Sequence, residues 1–253
     1  MLAQSDDLRA VYPSLRNKRV LVTGGGSGIG AGIVEAFAEQ GSRVTFVDIL
    51  NGESEALSAK TGARFERVDL KDVQATVGCI KGLAEKEGAF DVLVNNAAND
   101  DRHKFDQVTE KYWDDRLAVN LKHQFFCAQA VAPGMRANGK GSIVNLGSIS
   151  WHLALPDLVL YQTCKAAIEG LTRALARDLG GDNIRVNCVV PGNIRTPRQM
   201  QWYTPEGEAA IVDAQCIKRR LEPRDVAALV TFLASDDAGG MTGHEHFVDA
   251  GWR

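Results

Sequence analysis

Tyr161 and Lys165 stand four residues apart in Leu160-Tyr161-Gln162-Thr163-Cys164-Lys165, and a helix carries side chains at i and i+4 on one face. A phenol and an ammonium therefore converge. A free phenol titrates near ~10 and is a poor base at neutral pH, but a neighbouring cation favours the phenolate and brings it towards the working pH. Tyr161 is thus a candidate general base, with Lys165 as its activating cation. Thirteen residues before Tyr161, the run Ser142-Ile143-Val144-Asn145-Leu146-Gly147-Ser148 reads as a short buried strand ending in a hydroxyl. Ser148 is then placed to face the phenol. Cys164, beside Lys165, points to another helical face and is not read as a nucleophile.

A second chemical feature lies near the start of the chain. The apolar run Arg19-Val20-Leu21-Val22-Thr23 enters Gly24-Gly25-Gly26-Ser27-Gly28-Ile29-Gly30, and a helical pattern follows at Ile29, Ile33, Ala36 and Phe37. Glycines in that position let backbone N–H groups and a helix N-terminus approach a pyrophosphate. Asp48 follows Gly24 by 24 residues, close to the spacing at which a carboxylate receives a ribose 2′-hydroxyl. A 2′-phosphate would be repelled there, and neither Ile49 nor Ser27 supplies a compensating cation, so NAD is the expected cofactor.

The elements that must position these groups alternate. Short β-branched runs at 20–23, 44–48, 65–68, 92–95, 143–146, 184–190 and 246–248 are separated by helical stretches, which predicts a parallel sheet covered on both faces. The expected fold is α/β, a doubly wound parallel sheet forming one Rossmann sandwich over 1–253. Ligands in such sheets bind beyond the carboxyl ends of the strands, where Gly24, Asp48, Asp69, Asn95, Ser148 and Pro191 would lie. Residues 193–220 break the rhythm with Pro197, Trp202, Tyr203, Pro205 and Gly207 and read as a small substrate lid.

Composition agrees with one well-filled domain: 253 residues, 45% hydrophobic and 24% charged. A net charge of -3 offers no basic surface for nucleic acid, and no apolar run is long enough to span a membrane. Segment 1–17 carries Asp6, Asp7 and Arg9 and lacks the apolar stretch of a secretory signal, so a cytoplasmic protein is expected. The five cysteines are scattered, without a C-x-x-C pair, and are expected to be buried thiols. His244 and His246 do not form a helical metal motif, and no metal is expected.

The glycine spacing is Thr23-Gly24-x-x-x-Gly28-x-Gly30. With Asn95-Asn96-Ala97-Ala98, Asn120, the Ser148/Tyr161/Lys165 set and Pro191-Gly192 followed by Thr196, it resembles the classical short-chain dehydrogenases/reductases over nearly the whole chain. Ala98, where glycine is usual, is a departure. The resemblance implies hydride transfer between a substrate carbon and a nicotinamide. Tyr161 takes the hydroxyl proton, Ser148 binds the reacting oxygen, Lys165 steadies the phenolate and holds the nicotinamide ribose, and Asn120 holds a relay water. It also implies cofactor contacts from Ile49 beside Asp48, Asp69 and Leu70 at the adenine, Asn95 and Ala97 near the ribose, and Pro191, Gly192, Ile194 and Thr196 at the nicotinamide. Gly24, Ser27, Gly28, Ile29 and Gly30 form the phosphate loop. Homo-oligomers, commonly tetramers, are implied through the helix 161–179.

The stretches 99–103, 148–152, 201–208 and 249–253 resemble the sugar-oxidising branch of that family, in which a pentose, D-xylose, loses hydride at C1 to give a lactone. L-arabinose or a broader set of aldoses is the alternative substrate. Asn99, Ser150, Trp151, His152 and Asn193, with Ser148 and Tyr161, are the expected sugar contacts, since a polyol needs several hydrogen-bonding partners and an apolar face. An oxoacyl or hydroxysteroid reductase would need a chiefly apolar pocket. A non-catalytic NAD-responsive protein would need the phosphate loop but not the base.

Overall fold

The computed structural model describes residues 10–201 and 203–253. Asp6, Asp7, Arg9 and Trp202 lie outside the described residues. Seven strands, β1 Arg19–Thr23, β2 Arg43–Asp48, β3 Arg64–Arg67, β4 Val92–Asn95, β5 Gly141–Leu146, β6 Ile184–Pro191 and β7 Glu245–Val248, form one sheet in the order β3-β2-β1-β4-β5-β6-β7. Every neighbouring pair is parallel. The order reverses at β1, which pairs with both β2 and β4; that junction opens the crevice in which doubly wound sheets take their ligands.

Side-chain alternation along the strands builds two cores. Val20 and Val22 face a layer made with Ile33 and Phe37 of α1 (Gly28–Glu39) and Val226 and Val230 of α9 (Pro223–Ala234). Leu21 faces the opposite layer, with Ile80 and Leu83 of α3 (Val73–Glu87), Val131 and Met135 of α5 (His123–Ala137), and Leu179 of α6 (Val159–Leu179). The central strands are apolar without interruption because both faces are covered. β3 departs from this: its sequence is RFER and its flanks are exposed, as suits an edge strand whose charges discourage pairing with another chain.

The remaining helices are α2 (Asn51–Thr61), α4 (Glu110–Leu117), α7 (Pro197–Met200) and α8 (Pro205–Ala214). Thr109 caps α4 by accepting a hydrogen bond from the Tyr112 N–H. A π-helical turn, Ala118–Lys122, joins α4 to α5 and carries Asn120. Segment 193–220 leaves the sheet after β6 and returns where Ile194 and Leu221 form a parallel bridge, with the Arg195 N–H donating to the Leu221 carbonyl at 2.7 Å. No helix among the described residues is long and apolar enough to cross a membrane.

Candidate active site

A cavity of about 540 Å³ runs along the carboxyl edge of the sheet. Its floor at one end is the turn from β1 into α1. A Cβ on Gly24, where φ is +64°, would stand 2.7 Å from the Ala97 Cα, and one on Gly30 would stand 1.9 Å from the Gly24 carbonyl oxygen. Only glycine permits this close turn. Ser27, the N-cap of α1, makes no side-chain cap bond, and the first turn carries no acidic residue. The N–H groups there meet the cavity with the positive end of the helix dipole behind them, an arrangement suited to a phosphate. Asp48 is held in place at the end of β2: its Oδ2 accepts from the Gly26 N–H at 2.8 Å and its Oδ1 from the Ile49 and Leu50 N–H groups at 2.7 and 3.0 Å. These residues fit a nicotinamide dinucleotide.

Gly24, Ser27, Gly28, Ile29, Gly30, Asp48, Ile49, Asp69, Leu70 and Ala97 line this part of the cavity, and Pro191, Gly192, Ile194 and Thr196 line its continuation. Asn95 does not. It is fully buried, and its Nδ2 donates to the Gln124 carbonyl at 3.2 Å and to the Asn145 Oδ1 at 2.9 Å. Asn145 in turn donates to the Thr172 hydroxyl at 3.0 Å. The side chain expected at the ribose instead ties β4 to α5 and β5, and through Asn145 to α6, beneath the cavity. The clamp on the turn is its neighbour Asn96, whose side-chain amide donates to the Thr23 and Gly24 carbonyls at 3.0 and 2.8 Å.

Ser148, Tyr161 and Lys165 share the wall between β5 and α6. Lys165 is 2% exposed, donates from Nζ to the Leu146 carbonyl at 2.7 Å, and lies 5.4 Å from the centre of the Tyr161 ring. Burial pushes its ammonium down to about 8. Burial pushes the Tyr161 phenol up, the Asp100 carboxylate adds to that rise, and a hydrogen bond with Ser148 and the Arg198 cation oppose it. This corrects the expectation of a phenol brought down by Lys165: burial outweighs the neighbouring charges. Ser148 Oγ also donates to the Ser150 hydroxyl at 3.0 Å and accepts from the Ser150 N–H at 3.1 Å. Asn120 is buried outside the cavity lining, with Oδ1 accepting from the Asn99 N–H at 2.7 Å and Nδ2 donating to the Asn99 carbonyl at 3.0 Å. Its side chain holds the loop after β4.

Among the expected sugar contacts, Asn99, Ser150 and Asn193 line the cavity. The Asn193 amide is fixed between the Tyr203 hydroxyl, 2.6 Å away, and Arg220, which donates to its Oδ1 at 2.8 Å. Trp151 and His152 are not in the lining. The Trp151 Nε1 donates to Glu169 Oε1 at 2.8 Å, and the His152 Nε2 lies 3.1 Å from the same oxygen. Glu169 is 9% exposed, and a carboxylate so buried needs such partners; serving it turns both rings away. Trp252 supplies an aromatic face instead, beside Leu153, Leu155 and Leu158. Sequence reasoning missed Asp100, Arg198 and Gln199 in the lining, while Tyr203, read as an aromatic of the lid, does line it. Asp100 and Tyr203 stood in stretches that resemble the sugar-oxidising branch, but no local pattern tells which side chain of a loop turns inward.

Cys164 is buried, and its thiol is pushed up to about 11 by burial, leaving it inert. Cys216 is exposed and Cys79 half-buried, which corrects the expectation that all five are buried.

A family model described as enoyl-(acyl carrier protein) reductase matches residues 24–253. The chain is 60% identical to the D-xylose 1-dehydrogenase of Caulobacter vibrioides over 96% of this chain and 99% of that protein. It is 49% identical to a "probable galactose dehydrogenase" of Rhizobium meliloti over 95% and 96% of the two chains. A solved structure described as a short chain dehydrogenase/reductase family protein superposes with a TM-score of 0.85 at 34% identity, covering 94% of this chain and 98% of that one.

Proposed function

The chain belongs to the short-chain dehydrogenase/reductase family, and from that membership we propose that it is an NAD-dependent aldose 1-dehydrogenase oxidising D-xylose to D-xylonolactone. The observation that carries this reading is the 60% identity with a D-xylose 1-dehydrogenase along nearly the full length of both chains. The cavity supports it: Asn99, Asp100, Ser150, Asn193 and Gln199 offer polar partners to hydroxyls, opposite the apolar face of Trp252 and the leucines. A steroid or acyl chain would meet none of the hydrogen-bonding capacity these groups keep beyond their bonds to one another, which is costly.

In the proposed reaction the C1 hydroxyl donates its hydrogen bond to Tyr161, and Ser148 donates one to the same oxygen. Tyr161 takes the proton as the C1–O bond becomes a carbonyl. A bound nicotinamide supplies the acceptor for the C1 hydride. Lys165, fixed by Leu146, directs its charge towards the phenolate that must be present before Tyr161 can take the proton, and towards the nicotinamide ribose. Asn120 spends both amide atoms on Asn99, so a relay water would be held by its backbone carbonyl. Asp48 disfavours a 2′-phosphate, and Ile49, 57% exposed, adds no cation; NAD is the preferred dinucleotide. The reading includes a cytoplasmic homotetramer. Trp113, Phe125 and Val159, exposed apolar side chains on α4, α5 and α6, support association.

The test is reduction of NAD and NADP by the purified protein with D-xylose, L-arabinose, D-galactose and a set of steroid and acyl alcohols. D-xylose with NAD is expected to give the highest kcat/KM, arabinose a lower measurable one, and Tyr161→Phe none. Galactose, favoured by the 49% relative, is the second reading. Turnover confined to steroid or acyl alcohols overturns both.

A further inference from the structure

Residues 99–101 stand where three elements meet. Asn120 holds the Asn99 backbone on both sides, and the next two side chains reach α7. Arg198 donates from Nε to Asp100 Oδ1 at 2.9 Å and from Nη2 to Asp101 Oδ1 at 2.6 Å, while Gln199 Nε2 donates to Asp100 Oδ2 at 2.8 Å. Arg116, on α4, adds a bond to Asp101 Oδ2 at 3.2 Å. Thr196, on the cofactor side of the cavity, caps α7. Arg198 and Gln199 thus pin the start of the 193–220 segment across the cavity.

These ion pairs are partly exposed, with 48% of the Arg198 side chain and 30% of the Asp100 side chain accessible, so they add little to folding stability. Their position matters more. Asp100 shares the cavity with Tyr161 and Lys165 and acts on both, opposing ionisation of the phenol and holding the ammonium. The other groups bearing on Tyr161 are Ser148 after β5, Cys164 on α6 and Arg198 on α7. Lys165 lies over its ring, and His103 accepts from the adjacent Leu160 N–H at 3.3 Å. Asp48, Asp69, Lys71, Arg102 and Arg116 are further charges in the lining.

We propose, resting on the reading of Tyr161 as the base, that Arg198 is a positioning residue that pins α7 to the 99–101 loop and cancels the charge of Asp100 beside Tyr161 and Lys165. Seating the segment over the substrate and readying the base are then one event. A lid that merely covers substrate would change binding at every pH alike; this one also sets the pH at which the base works.

The experiment is the pH profile of kcat/KM for D-xylose at saturating NAD in wild type, Arg198→Gln, Arg198→Lys, Asp100→Asn and the Arg198→Gln/Asp100→Asn double variant. Arg198→Gln is expected to move the rising limb to higher pH by about half a unit to one unit. Arg198→Lys should restore the limb, because charge rather than the guanidinium fork is required. The double variant should also restore it, although the latch is broken. A uniform fall at all pH values in Arg198→Gln with the limb unmoved, or a double variant whose limb stays displaced, overturns the proposal. Absence of xylose turnover in wild type overturns the aldose reading alone, and the profile is then taken with the alcohol that does reduce NAD.

Discussion

Lys165 illustrates at the scale of one residue how activity and stability oppose each other. Its ammonium is buried, and among the described residues its one acceptor is the Leu146 carbonyl, so the folded state disfavours its charge and depresses it to about 8 from 10.5. Folding therefore bears a penalty below about pH 8. As pH rises from there towards 10.5 the folded protein sheds the proton before the unfolded chain does, and stability increases. Lys165→Met is expected to abolish turnover yet raise the unfolding free energy at pH 7, and Tm with it, by on the order of 3 kcal/mol from the shift less the cost of the unpaired Leu146 carbonyl. That advantage should shrink between pH 8 and 10.5 in a Tm series. A variant less stable than wild type at pH 7 would refute the account. The convergence of Tyr161 with Lys165 was legible because helical spacing is periodic; the turning of Trp151 towards Glu169 was not, since a loop has no period to read.

At the scale of elements, all seven strands were legible to within two residues at their ends, the central ones because burial on both faces leaves uninterrupted apolar runs such as Val20-Leu21-Val22. The π-helical turn was not: nothing in Ala118-Val119-Asn120-Leu121-Lys122 announces an extra residue, though such turns are common at functional sites. It aims the Asn120 amide at Asn99, and just past it His123 enters the core. The His123 ring is fully buried, neither nitrogen has a well-aligned hydrogen-bond partner among the described residues, and burial together with the Lys165 charge pushes it down to about 3 from 6.5. The stability tied to neutral His123 is thus complete above pH 6.5 and lost as pH falls towards 3. His123→Leu should resist acid better, its unfolding free energy falling less steeply by up to ~1.4 kcal/mol per pH unit in that window. Parallel acid curves in urea titrations would sink this prediction.

At the scale of the whole molecule, the cavity closes only when distant parts of the chain meet, and that part of the site was least legible. Trp252 reaches it because Asp249 fixes the terminal turn, accepting from the Gly251 and Arg253 N–H groups at 2.9 and 3.1 Å. Trp252→Ala is expected to raise the KM for the sugar roughly 5-fold, the loss of about 1 kcal/mol of aromatic contact, with KM for NAD unchanged; a change only in the latter would place the indole wrongly. The bridge between Ile194 and Leu221 bears on the history of such enzymes. An excursion that departs and returns at adjacent backbone can gain or lose residues at small entropic cost without disturbing the sheet. New substrate preferences can therefore begin in the part of this excursion beyond Thr196, while the dinucleotide half is inherited intact.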